Sequence, residues 1–258
     1  MTSSIRLDHK VALITGIGTG IGRAAALMFC AAGARVVGCD MNAAGCEETA
    51  RLATEAGGTL TAMSPVDLGD ADAAKAWVDE AASVYGGFDV LYNNASTQRF
   101  GPISELSVAD WDFTMRNELN LVFYTVKAAW PHLIARGGGS IINVGSIAGL
   151  RGVEFMPQNA HGTAKAGVIS LTRQLVVEGG PHRIRANTIS PGLVETANTR
   201  PLIENPFPSF KEMYARIPLG RHGQVEDVVR GALFLASDES GWVNGVNLVI
   251  DGGASVLG

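Results

Sequence analysis

At 258 residues, with 47% hydrophobic content and 32 glycines spread along its length, the chain can bury an enzyme-sized core and is neither disordered nor fibrous. Its formal charge of −5 comes from dispersed acids and bases with no basic stripe, which argues against nucleic acid as a partner. The opening MTSSIRLDHK has no apolar core of a secretory signal, and no apolar run reaches the roughly 20 residues of a membrane span; with no CxxC spacing among Cys30, Cys39 and Cys46, a cytoplasmic chain with reduced thiols is expected.

In chain order, short β-branched runs alternate with longer helical patterns. VALIT (Val11–Thr15) reads as a first strand, and GRAAALMFCAAG as a helix that stops at Gly33. RVVGC is a second strand before a helix in AAGCEETARLATEAGG. TLTAMS is a third, before a helix that starts among acids at Asp70 and ends at Gly86 and Gly87. FDVLYNN, SIINVGS, RIRANTIS and GVNLVID supply the remaining strands. Long helices are predicted over Ala109–Arg136 and Asn159–Glu178, and another over Val225–Ala236. Apolar strands alternating with helices imply an α/β fold: a doubly wound parallel sheet of the Rossmann type, about seven strands with helices on both faces, in one domain over residues 1–258. The proline-rich stretch 196–220 breaks the pattern and is predicted to be a substrate lid. Phe155, Phe207, Phe210 and Tyr214 are expected to make its pocket apolar, which favours an apolar or ring-containing substrate.

TGIGTGIG (Thr15–Gly22) joins the first strand to its helix. Gly16, Gly18, Gly20 and Gly22 allow a tight turn and close approach of a pyrophosphate, and the helix N-terminus offers free N–H groups to that anion. Asp40 closes the second strand about 20 residues further on, where a carboxylate can bind the adenosine ribose hydroxyls and repel an added 2′-phosphate. No arginine or lysine follows it in CDMNAAG, so NAD(H) is expected over NADP(H). The plainer alternative is that Asp40 only caps the next helix.

On these motifs the chain resembles the short-chain dehydrogenase/reductase family over essentially its full length. Thr15, Gly16, Gly20, Ile21 and Gly22 match that family's TGxxxGxG. The resemblance implies that Asp67 and Leu68 of VDL lie at the adenine, and Asn94 and Ala95 of NNAS near the cofactor, with Ser96 replacing a glycine. It implies that Pro191, Gly192, Val194 and Thr196 of SPGLVET meet the nicotinamide end, and that DGG at Asp251–Gly253 packs at a subunit interface. A dimer or tetramer through the helices Ala109–Arg136 and Asn159–Glu178 is implied, with a small alcohol or ketone as substrate.

The family orients the substrate oxygen with a serine and exchanges its proton with a tyrosine. A lysine assists and holds the ribose, and an asparagine anchors a water relay. Local motifs place the serine at Ser146 and the lysine at Lys165, which also belongs to the cofactor set. The tyrosine position in PQNAHGTAKAG is His161, and the asparagine position in WDFTMRNELNLVF is Glu118. Asn117 and Asn120 flank Glu118, but adjacent side chains on a helix diverge by about 100°, so neither simply substitutes. A histidine beside Lys165 is favoured as the neutral imidazole, a competent base for an alcohol proton. If Glu118 points inward it offsets the lysine charge, and Glu118 with His161 forms a replacement proton relay. The competing reading is a chain that binds NAD without turnover, beside an active homologous partner in a mixed oligomer. His9, His132, His182 and His222 lack metal-site spacing, and no GxSxG elbow is present, so no metal and no hydrolase chemistry are expected.

Overall fold

The structure, a computed structural model, describes residues 6–153 and 156–256; Phe155 lies outside the described residues. β1 (Val11–Thr15) is buried at every position, as a strand covered on both faces must be. It pairs in parallel with β2 (Arg35–Cys39), Val11 opposite Arg35, and with β4 (Val90–Asn93), Ala12 opposite Val90. β3 (Thr59–Met63) lies outside β2, and β5 (Gly139–Val144), β6 (Ile184–Pro191) and β7 (Asn247–Ile250) extend the other side. The order β3-β2-β1-β4-β5-β6-β7, parallel throughout, is the doubly wound sheet that the alternating pattern implied.

Alternate strand residues feed two apolar layers. Ala12, Ile14, Val36, Tyr92 and Ile189 meet α1 (Gly20–Ala31), α2 (Ala43–Glu55) and α9 (Val225–Ala236). Val11, Leu13, Val37, Leu91 and Ile141 meet α3 (Ala71–Val84), α5 (Leu121–Arg136) and α6 (Asn159–Gly179). Helix starts follow local chemistry: Asn42 accepts from the Gly45 N–H, Asp70 from those of Asp72 and Ala73, and Gln224 with Asp227 closes a capping box on α9. Cys30, Cys39 and Cys46 are buried free thiols. Among the described residues, no helix is long and apolar enough to cross a membrane.

Two segments differ from the sequence reading. The helix expected over Ala109–Arg136 is α4 (Val108–Met115), a π-helical turn at Arg116–Asn120, and α5. A π turn inserts one residue into the ladder of an otherwise continuous helical stretch, which a reading of helix extent alone does not resolve. The proline-rich stretch holds α7 (Arg200–Glu204) and α8 (Pro208–Ala215), the second started by Pro208 at its first position. Phe210 is 1% exposed, while Phe207, its ring 5.7 Å away, is 36% exposed. Phe210→Ala should lower stability by about 3–5 kcal/mol, read as an earlier urea midpoint, because it removes a large, fully buried ring and leaves a cavity.

Candidate active site

At the carboxyl end of the sheet, Thr15 ties two strands together. Its buried hydroxyl accepts from the N–H groups of Asn94 (2.9 Å) and Ala95 (3.0 Å), and the Asn94 amide donates to the carbonyls of Thr15 (3.1 Å) and Gly16 (3.3 Å). Gly16 has φ +76°, and a Cβ there would lie 2.8 Å from the Ala95 Cα, so both its conformation and its neighbour demand glycine. A Cβ at Gly22 would overlap the Gly16 carbonyl, which is what lets α1 start hard against the turn.

This turn opens on a groove of about 330 Å³. Of the residues expected at a dinucleotide, Gly16, Gly20, Ile21, Asp40, Asp67, Leu68, Asn94, Ala95 and Thr196 line it. Thr15, Gly18 and Gly22 instead shape its walls from behind. Further along, Gly192 packs on Asp251, and Val194 is buried beside a smaller cavity of about 190 Å³. Thr19, Met41, Ser96, Thr97, Asn117, Ala197 and Asn198 also line the groove and were not singled out from sequence as cofactor contacts. Most are chain neighbours of motif residues; Ser96 carried a signal of its own, since it replaces a glycine.

Asp40 is not the cap of α2, a role that Asn42 takes. Its carboxylate accepts from the Gly18 N–H (2.8 Å) and the Asn42 N–H (2.9 Å), holding the glycine turn against the end of β2. Each oxygen keeps a lone pair for a ligand hydroxyl. Asp67 accepts from the Arg116 guanidinium (2.7 Å) and the Gly69 N–H (3.0 Å), and the arginine holds its carboxyl below the usual range.

The π turn carries Glu118 inward, where it is fully buried. Asn117, beside it, faces the groove and spends its amide on the Phe113 carbonyl (2.8 Å). The Glu118 carboxylate lies 2.8 and 2.9 Å from Nδ1 of His161 and accepts from the Ser96 hydroxyl at 2.5 Å. Lys165 Nζ stands 3.8 Å from Glu118 Oε1 and donates to the Val144 carbonyl (3.1 Å). Burial pushes the Glu118 carboxyl up, but the Lys165 charge and the bonds from His161 and Ser96 outweigh it and hold it below the ordinary glutamate range. Burial pushes the Lys165 ammonium down, with Glu118 opposing. The second imidazole nitrogen, Nε2, has no hydrogen-bond partner among the described residues. The ring of Phe100 meets His161 edge-on at 5.7 Å.

Ser146 follows β5, and its hydroxyl accepts from the Ala148 N–H (3.1 Å), opening the tight turn Ile147–Gly149. That turn rests directly on α6: a Cβ at Gly149 would come 2.7 Å from the Ala166 nitrogen, and one at Gly162 2.8 Å from the Ala148 oxygen. Ser146 is thereby set beside the His161–Lys165 stretch without a hydrogen bond to either residue. Underneath, a buried polar chain fixes the floor. Thr125 donates to Asn93, Asn93 to Asn143 and Asn143 to Thr172, at 2.8–2.9 Å, joining α5, β4, β5 and α6.

A family profile described as enoyl-(acyl carrier protein) reductase matches residues 16–255. The 3-oxoacyl-[acyl-carrier-protein] reductase FabG of Thermotoga maritima is 38% identical over 251 residues, spanning 96% of this chain and 99% of its own. D-threitol dehydrogenase of Mycolicibacterium smegmatis is 37% identical over 254 residues, spanning 97% and 95%. Among solved structures, a putative 2-deoxy-D-gluconate 3-dehydrogenase of Agrobacterium tumefaciens with bound NADP superposes with a TM-score of 0.88 at 34% identity, covering 99% of this chain and 100% of that one. A 7α-hydroxysteroid dehydrogenase complexed with NADH and 7-oxo glycochenodeoxycholic acid gives 0.90 at 31% identity, covering 96% and 95%. Two of these related structures thus hold a nicotinamide dinucleotide, and the relatives are named reductases or dehydrogenases. By sequence over nearly its whole length and by fold, the chain belongs to the short-chain dehydrogenase/reductase family, a family of hydride-transfer oxidoreductases.

Proposed function

We propose that this chain interconverts an alcohol and a carbonyl with NAD(H), and that His161, oriented by Glu118, carries the proton. The observation that carries this reading is the buried Glu118 carboxylate 2.8 Å from His161 Nδ1, with Nε2 left unengaged. An ionised carboxylate only accepts, so it assigns the ring proton to Nδ1 and leaves the Nε2 lone pair free to take a proton from an alcohol oxygen. Imidazolium formed in that step stays bonded to Glu118, which stabilises it in place. Ser146 orients the substrate oxygen. Lys165, buried and 3.8 Å from Glu118, balances the carboxylate while Nε2 is unprotonated. The glycine turn, Asp40, Asp67 and Asn94 would hold a dinucleotide, which would supply the hydride acceptor. Phe100, 41% exposed and packed against His161, together with Phe207 on the segment 196–220, supports a ring-bearing or otherwise apolar substrate under a closing lid.

The test is nicotinamide reduction by the purified chain with NAD⁺ and a panel of cyclic and linear alcohols. Turnover by the chain alone is expected. Dinucleotide binding with no turnover on any member, restored by a co-purifying homologue, would contradict the reading. Cofactor choice has its own check. Asp40 meets the ribose with a negative charge, so Asp40→Ser should shift the ratio of kcat/KM for NAD over NADP by about 100-fold towards NADP, roughly 3 kcal/mol of removed repulsion. An unchanged ratio would place the discrimination elsewhere.

A further inference from the structure

Three positions depart from the family pattern that the rest of the chain resembles: Ser96 for glycine, Glu118 for asparagine and His161 for tyrosine. They are 22 and 43 residues apart along the chain, yet direct hydrogen bonds join them into one cluster. We propose that Ser96 is a positioning residue for the proton carrier, holding the Glu118 carboxylate on His161 and off Lys165. The inference rests on the reading of His161 and Glu118 above and adds to it the group that sets their geometry.

The carboxylate has competing partners. His161 offers one N–H, 2.9 Å from Oε1 and 2.8 Å from Oε2. Lys165 offers a full charge in a buried, weakly screened setting, 3.8 Å from Oε1, close enough that a modest rotation of the carboxylate would bring them into direct contact. With nothing else acting, the charged partner draws the carboxylate away from the neutral ring, and the imidazole loses the group that assigns its tautomer. Ser96 supplies the opposing restraint: its hydroxyl donates to the same Oε1 at 2.5 Å. Its backbone is firmly placed, because the preceding Asn94 and Ala95 N–H groups are both bonded to the buried Thr15 hydroxyl. A glycine at this position has no side chain to reach residue 118. Ser96 also lines the dinucleotide groove, so the restraint that sets the proton carrier is built on the same turn that receives the cofactor.

The experiment uses the full-length protein labelled with ¹⁵N in its histidines. In the wild type the His161 nitrogens should report a single tautomer with the proton on Nδ1 and a far-downfield Nδ1–H resonance from its bond to the carboxylate. In Ser96→Ala that resonance should weaken or vanish and the tautomers mix, with kcat about tenfold or more lower and dinucleotide Kd within about twofold. Ser96→Thr, which keeps the hydroxyl, should restore both. A Ser96→Ala protein with the wild-type imidazole signals overturns the proposal, whatever its activity. So does a variant whose dinucleotide affinity falls while those signals stay put, since Ser96 would then be only a cofactor contact. Because the imidazole spectrum needs no turnover, an inactive wild type would sink the proposed function and still leave the role of Ser96 to be decided.

Discussion

His161→Phe is expected to lower kcat for NAD-linked alcohol oxidation by about 10²–10⁴-fold, the usual worth of a positioned general base, and to leave dinucleotide affinity close to that of the wild type. Phenylalanine keeps the edge contact with Phe100 and fills a similar volume on α6, so the fold should survive. It removes both nitrogens, and with them the bond to Glu118 and the free Nε2. The outcome to look for is a loss confined to kcat. If alcohol oxidation proceeds within a few-fold of the wild-type rate, His161 is not the proton carrier, and the proton must leave by way of Ser146 or solvent.

Glu118→Leu should cost about 3–5 kcal/mol of stability, because it strands the Lys165 ammonium, itself 4% exposed, with no carboxylate nearby. The second change Lys165→Met in that background should recover most of the loss, since an apolar pair of similar volume replaces the buried ion pair. The pH dependence follows from the direction of the Glu118 shift. Its carboxyl is held below the ordinary glutamate value of 4.5, so the unfolded chain takes up a proton before the folded one does. Its contribution is fully present above 4.5 and is lost as the pH falls through the lower folded-state value. Urea midpoints measured from neutral to acid pH should therefore fall less steeply for Glu118→Leu than for the wild type. Parallel curves would mean that the carboxyl titrates no lower in the folded protein than in the unfolded chain.

Much of this was legible in the sequence because it is local. The strands announce themselves as short β-branched runs, and the glycine turn lies next to the strand and helix it joins, so Gly16 and Gly22 could be assigned steric roles directly. Asp40 ends a strand at a distance from the turn that one helix sets, and it duly meets Gly18. What stayed hidden depends on long-range contact or on a local insertion. The π turn at Arg116–Asn120 adds a residue within one helical stretch, and it is this turn that carries Glu118 inward. Phe210 sits among prolines in a stretch without helical period, and only the packed fold shows that it is buried. The resemblance pairs Glu118 with His161 only on the condition that Glu118 points inward, and nothing in the spacing of the NNAS turn ties Ser96 to them; the fold shows that all three side chains touch.

The central claim is that the Ser96–Glu118–His161 cluster is a working proton carrier and not the residue of a lost one. Its most direct measurement is the kcat for alcohol oxidation of the wild type beside His161→Tyr/Glu118→Asn, at saturating NAD⁺ and on the same substrate. The account predicts that the wild type turns over on its own and that the double variant, with Ser96 and the surrounding cavity still shaped for the histidine pair, is no faster. A silent wild type and an active double variant would contradict it.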